Sequence, residues 1–335
     1  MFPGQGAQQV GMGRDLADNF PEIASLYQHA DEIVGYDLSR LCFEGPEDQL
    51  NRTEISQPAL FVTSAACLTA LRAGKIAAPL AQLQPDFCAG LSLGEYTALY
   101  AAGAMSFEDG LRLVQLRGQG MQQAAQQQKG SMVSVLGLDE SQVNQLCAAV
   151  LSEFKAPHGN GGSQTNPHGH GKSIKTDNRP VSTVDILVPV NFNCPGQIVL
   201  SGTLPACNLA VQLAESFAAH ALPLKVAGAF HTKMMAPAAH NLKAALHRCK
   251  FTQPCCPVFA NVDALVYQSP DQIPDKLLRQ LVSPVLWQQT VEKLLAQGAE
   301  RFVEIGPGRV LNGLVKKIAR PLNVKPTIIN ISGID

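Results

Sequence analysis

The chain has 335 residues, 46% of them hydrophobic, enough to bury a full core and to form one large domain carrying a smaller one. Lys plus Arg (26) nearly balances Asp plus Glu (27), so no global field would draw nucleic acid or an anionic membrane as the main partner, and any charge recognition is local. No run of about 18 uncharged apolar residues offers a membrane span. The nine cysteines, an odd number without a CxxC pair, predict a reducing, cytoplasmic setting rather than a disulfide framework.

In chain order, apolar residues at three- and four-residue spacing predict helices over 21–34 and 57–73. A short apolar run at 87–90 reads as a strand and leads into helical stretches at 95–104 and 107–126. Strands follow at 131–136, 184–190 and 198–201, then a helix at 204–218. The C-terminal part predicts strands at 258–260, 301–305 and 327–329, with helices at 287–297 and 309–319. This alternation predicts an α/β sheet covered on both faces. One segment breaks the rhythm: residues 156–178 are rich in Gly, Ser, Asn, His and Lys, cannot offset their ordering entropy by burial, and predict a mobile loop. His158, His168 and His170 fall there as solvated side chains, and no metal site is expected from them.

Gly90-Leu91-Ser92-Leu93-Gly94 stands between the strand at 87–90 and a helix, the context that gives a GxSxG motif meaning as a nucleophile elbow. Its glycines allow a tight turn that presents the Ser92 hydroxyl, and main-chain N–H groups at the helix start face an incoming carbonyl oxygen. A serine hydroxyl needs a base within hydrogen-bond reach. Of eight histidines, three lie in the loop, His29, His240 and His247 lie in polar helical stretches, and His220 precedes a strand. His231, in Gly228-Ala229-Phe230-His231, sits where a strand is expected to end and a helix to begin, a usual place for catalytic groups in α/β sheets.

These residues, with others, resemble the malonyl-CoA:acyl carrier protein transacylases of fatty acid synthesis. Phe2-Pro3-Gly4-Gln5-Gly6-Ala7-Gln8 is similar to that family's opening loop, and Gly90 to Tyr96 to its elbow. Arg117-Gly118, Asn193-Cys194-Pro195-Gly196-Gln197, Ala229-Phe230-His231, Asn261-Val262-Asp263, the segment from Gln280 to Trp287 and Glu304-Ile305-Gly306-Pro307-Gly308 follow in the family's order along nearly the whole chain. The resemblance implies an α/β-hydrolase-like large domain (1–128 and 225–335) with an inserted ferredoxin-like small domain (129–224) that contains the loop. It implies ping-pong transfer of malonyl from malonyl-CoA to the phosphopantetheine thiol of acyl carrier protein through Ser92, with His231 as base. Main-chain N–H groups of Gln8 and Leu93 would form the oxyanion hole. Arg117 would bind the malonyl carboxylate, Gln280 would support, and Phe230 would leave little room for an α-methyl branch. No bound cofactor or metal is implied, and the molecule is expected to be a monomer.

Two departures stand out. Leu91 replaces the histidine that many members carry before the nucleophile, as in plastid and cyanobacterial-type members, and predicts altered packing there. The chain opens directly on Met1-Phe2-Pro3, whereas the family has an apolar strand before that loop; the expectation is a central strand missing through a start site placed too late, with unpaired backbone beside it. Lys316, Lys317 and Arg320 suit the dipole of a helix C-terminus, and would also offer a patch to an acidic carrier protein. Rival readings explain less. An esterase or lipase wants an acid between nucleophile and histidine and leaves Arg117 without a role. A patatin-like lipase lacks its Asp-Gly partner, because Asp109-Gly110 falls at a helix start. A catalytically silent carrier-binding module would not acylate Ser92, and a polyketide acyltransferase would share the fold.

Overall fold

The computed structural model describes residues 1–82, 84–155 and 186–334; the loop expected at 156–178, with its three histidines, lies outside the described residues. Within them the strands are β1 (Gly130–Leu136), β2 (Leu187–Cys194), β3 (Gln197–Thr203), β4 (His220–Pro223), β5 (Phe259–Ala260), β6 (Leu265–Val266), β7 (Arg301–Ile305) and β8 (Thr327–Ile331).

The first four form an antiparallel sheet in the order β2-β3-β1-β4, with Ser134 opposite Val199 on one side and Leu222 on the other. Helix Glu140–Lys155 joins β1 to β2, and helix Leu204–Leu213 joins β3 to β4. Both helices pack on the sheet around Val133, Val135, Leu146, Val150, Leu200 and Ala210. This βαββαβ order is the expected ferredoxin-like unit, and its apolar cluster is separate from the main core.

The large domain is organised around parallel extended segments. Val258 bridges Cys88, Gly90 bridges Phe2, and β7 pairs with β8 in register from Arg301–Thr327 to Ile305–Ile331. The row between Gly90 and β7 was expected to be empty, yet residues 1 and 2 occupy part of it. Phe2 N–H donates to the Ala89 carbonyl (3.0 Å), Leu91 N–H to that of Phe2 (3.1 Å) and Ile305 N–H to that of Met1 (2.9 Å), while the terminal ammonium donates to the Val303 carbonyl (2.7 Å). Behind Met1 a groove of about 780 Å³ continues between Phe87-Cys88 and Arg301-Val303, with Arg72 on its wall. Residues 1 and 2 therefore bridge the sheet at the end that carries the elbow.

Helix Thr53–Arg72 is buried on nearly every side and lies against helix Phe107–Gln127. Their contact depends on Gly118, where an added methyl carbon would come within 2.8 Å of the Thr53 carbonyl oxygen. Ser106 caps the second helix by accepting from Asp109 N–H (3.0 Å), as Ser at an N-cap does to satisfy a free donor. Several expected boundaries move, two of them by five residues or more. The helix expected over 204–218 stops at Leu213 and closes as a 3₁₀ turn, Ala214–Phe217, ended by Ala218 in the left-handed region (φ +56°). The strand expected to run up to His231 ends at Pro223: Leu224 N–H still donates to the Met132 carbonyl, but the ladder with β1 goes no further although β1 itself continues to Gly130. Among the described residues no helix is long and apolar enough to cross a membrane.

Candidate active site

Ser92 sits at the turn between the segment that bridges Phe2 and helix Gly94–Ala101, with φ +52° in the left-handed region that a β-carbon disfavours. Both motif glycines are required sterically. A methyl at Gly90 would overlap the Gly94 carbonyl, and one at Gly94 would overlap the Phe2 carbonyl, so the opening loop presses directly on the elbow. Asn261, just after β5, fastens the turn: its Oδ1 accepts from Ser92 N–H (2.6 Å) and its Nδ2 donates to the Gly90 carbonyl (2.8 Å).

His231 Nε2 lies 2.9 Å from Ser92 Oγ, although 138 residues separate the two along the chain. The other ring nitrogen, Nδ1, lies 2.8 Å from the main-chain carbonyl of Gln280. A carbonyl can only accept, so Nδ1 carries the proton and Nε2 presents its lone pair to the serine hydroxyl. Burial, reinforced by the positive charge of Arg117, lowers the His231 pKa to about 4, which keeps the ring neutral near pH 7. His231 is itself in the left-handed region (φ +61°), in the irregular segment after β4.

Arg117 projects from helix Phe107–Gln127 and is 1% exposed. Its Nη2 donates to Ser92 Oγ (2.9 Å) and Gln280 Oε1 (3.0 Å), and its Nη1 donates to Gln57 Oε1 (2.7 Å). The Tyr96 ring lies 5.5 Å away, near enough for a cation–π contact. Among the described residues no carboxylate pairs with this guanidinium, and Nε has no hydrogen-bond partner. Burial lowers its pKa, yet an arginine at this depth remains charged. A buried cation held by amide oxygens and a hydroxyl is arranged to receive an anion.

Ser92, His231, Arg117 and Gln280 are thus brought together from four separate segments. Leu93 follows the nucleophile; among the described residues neither its N–H nor that of Gln8 donates a main-chain hydrogen bond, while the Gln8 side chain donates to Asn51 Oδ1 (2.7 Å). Phe230 is 4% exposed and belongs to the main core beside His231. Four residues without a role in the sequence reading belong to the same network: Gln57, Glu95, Asn261 and Tyr267. Glu95 and Asn261 stand inside the motifs already quoted. For Gln57 and Tyr267 the sequence carries no signal, because helical or loop position does not reveal a partner some 60 or 170 residues away.

The family model for the acyl transferase domain matches residues 1–154. The malonyl CoA-acyl carrier protein transacylase of Bacillus subtilis (strain 168) is 41% identical over 323 residues, covering 96% of this chain and 90% of that protein. The chain belongs to the malonyl CoA-acyl carrier protein transacylase family. Solved structures agree with this transacylase assignment. An acyl carrier protein S-malonyltransferase from Vibrio cholerae superposes with a TM-score of 0.82 at 37% identity, over 99% of this chain and 96% of that one. A malonyl-transacylase in complex with a type II PKS acyl-carrier protein superposes with a TM-score of 0.83 at 36% identity, over 99% and 94% of the two chains. The α/β transacylase fold with its small inserted sheet is therefore shared along the whole described chain.

Proposed function

We propose that this protein transfers malonyl from malonyl-CoA to the phosphopantetheine thiol of acyl carrier protein, supplying fatty acid synthesis from the cytoplasm. The observation that carries the reading is the convergence on Ser92 Oγ of a neutral imidazole and a buried guanidinium that no carboxylate among the described residues pairs, each at 2.9 Å. Ser92 attacks the thioester carbonyl and passes its proton to His231 Nε2. The tetrahedral intermediate, its oxyanion met by the N–H groups of Leu93 and Gln8, then collapses and expels the coenzyme A thiol, which takes the proton from His231. In the second half-reaction the carrier thiol gives its proton to His231 and attacks the ester, and Ser92 leaves with that proton. General-base assistance of this kind contributes about 10²- to 10⁴-fold, and one oxyanion donor roughly 3 to 4 kcal/mol of transition-state stabilisation.

Arg117 supplies the selectivity. A guanidinium fork matches a carboxylate with two hydrogen bonds, and the far end of a malonyl group provides one. Gln280 holds both His231 and Arg117, and Phe230 limits bulk at the α-carbon. The reading assigns residues 129–224 to the small domain, needs no metal or resident cofactor, and takes the active species to be a monomer. Relatives' names and the carrier-protein complex support it.

Intact mass measurement after brief exposure to malonyl-CoA tests the reading. The wild-type chain should gain one malonyl group, Ser92→Ala none, and Arg117→Ala much less malonyl while still loading acetyl. Equal loss of malonyl and acetyl in Arg117→Ala would refute the role of that residue, and a malonyl adduct on Ser92→Ala would refute the mechanism.

A further inference from the structure

Resting on the acyl-transfer reading above, we propose that Glu95 is a positioning residue: it locks the Gln280 amide with its carbonyl toward Arg117 and so sets the site's preference for carboxylated acyl groups. Glu95 is the second residue of helix Gly94–Ala101 and is wholly buried beneath the nucleophile. Its carboxylate accepts three hydrogen bonds. Tyr267 O–H donates to Oε1, while Asn261 N–H (2.9 Å) and Gln280 Nε2 (2.7 Å) donate to Oε2. The surrounding donors favour the ionised form against the burial that opposes it, since a carboxylate accepts and does not donate.

The consequence falls on Gln280. Its Nε2 donates to Glu95 and to the Ser92 carbonyl (2.9 Å), and its Oε1 accepts from Arg117 Nη2 (3.0 Å). Rotating this amide by half a turn would set Oε1 against a carboxylate and a carbonyl, and would aim NH₂ at a guanidinium, opposing donor to donor and acceptor to acceptor. Glu95 makes that inversion unfavourable, because without it Nε2 would face weaker, uncharged acceptors, the Ser92 carbonyl and Asn261 Oδ1 (3.4 Å). With the amide locked, Gln280 Oε1 and Gln57 Oε1 grip two different guanidinium nitrogens and hold the fork facing Ser92. Released, Gln280 would repel one arm of the fork, and a carboxylate would meet a misplaced partner. A donor without a carboxylate does not use the fork and would be little affected.

The test compares loading of Ser92 from malonyl-CoA and from acetyl-CoA at pH 8, above the value of about 7 to which burial raises the Glu95 pKa against its hydrogen bonds. In Glu95→Gln the charged acceptor facing Gln280 Nε2 becomes a neutral amide oxygen, which weakens the lock on the Gln280 orientation. We expect kcat/KM for malonyl loading to fall roughly 10-fold or more while that for acetyl changes by less than about 3-fold. Gln280→Met, which removes the amide being locked, should lower malonyl loading at least as far, and the double variant should add little to that loss, the non-additivity expected of residues acting as one unit. Equal loss for both acyl groups with a lowered Tm would show a merely structural role and overturn the proposal, as would unchanged malonyl loading. Should Glu95→Gln not fold, Glu95→Asp, whose shorter side chain draws the carboxylate back from Gln280 Nε2, decides by the same two outcomes. Wild-type protein that forms a malonyl ester on Ser92, with an unaltered malonyl-to-acetyl ratio in the variants, sinks the positioning role alone; wild-type protein that forms no ester sinks the acyl-transfer reading and this role together.

Discussion

At the scale of single residues, the site is defined by which groups lack their usual partner. Among the described residues no carboxylate hydrogen-bonds to Arg117, the charge of Glu95 acting on it across the Gln280 amide, and its donors reach two amide oxygens and a hydroxyl that lie in different directions. A lysine has the same charge but presents a compact ammonium on a flexible stem, so it cannot serve Gln57 and Gln280 together and still face a planar carboxylate. Arg117→Lys should therefore lower kcat/KM for malonyl loading by about 100-fold, roughly the loss of a bidentate charged contact, with acetyl loading nearly intact. A loading assay with both donors checks this, and near-wild-type malonyl loading by the lysine variant would show that charge alone suffices. His231 is governed by the same economy of partners: one carbonyl fixes its tautomer, and its burial keeps it neutral.

At the scale of elements, close approach of backbones decides where these residues can be. Helix Phe107–Gln127 carries Arg117 to the site only because Gly118 lets it lie against the start of helix Thr53–Arg72, with Thr53 and Glu54 main-chain atoms as the neighbours an added methyl would strike. Main-chain atoms cannot swing aside as a side chain can. Gly118→Ala should cost about 1 to 3 kcal/mol of stability and lower malonyl loading by shifting Arg117. Gly313, in helix Val310–Ala319, meets nothing within 4 Å, so Gly313→Ala should stabilise by about 0.5 to 1 kcal/mol through helix propensity and leave loading unchanged. Urea denaturation of the two variants separates these effects; destabilisation by both would mean that helix Val310–Ala319 is more tightly covered than the structure shows.

At the scale of the whole molecule, two buried groups titrate in opposite senses. His231 falls from an ordinary 6.5 to about 4 through burial and then the charge of Arg117, whereas burial raises Glu95 from 4.5 to about 7 in spite of its donors and with help from Asp263. Between about pH 4.5 and 6.5, unfolding therefore takes up a proton at His231 and releases one from Glu95. The His231 contribution rises with pH across this window and the Glu95 contribution falls, so together they leave stability nearly flat. Removing one should expose the other. His231→Gln should lose stability with rising pH, and Glu95→Gln should gain it, each by up to about 1.4 kcal/mol per pH unit relative to wild type. Urea midpoints at pH 4.5, 5.5 and 6.5 provide the measurement, and variant profiles parallel to wild type would show that neither group is held away from its ordinary pKa.

Much of this molecule was determined by local sequence. The helix over 21–34 begins with Pro21 and ends before Gly35 in the left-handed conformation, and the elbow declares itself because its glycines, serine and flanking strand are contiguous. Such features depend on neighbours a few residues apart, where period and backbone freedom decide. Other features required the chain to be folded. The strand before His231 leaves β1 at Pro223, eight residues short of the histidine, and residues 1 and 2 found a place between two parallel segments that the sequence had left unbridged. Glu95, Asn261, Tyr267 and Gln57 gained roles only through hydrogen bonds to distant positions, because a buried donor or acceptor must be satisfied by whatever the fold brings near it. Motif spacing names the groups that could react, and tertiary packing decides which are desolvated, which way each amide faces, and hence which charge the site is left to bind.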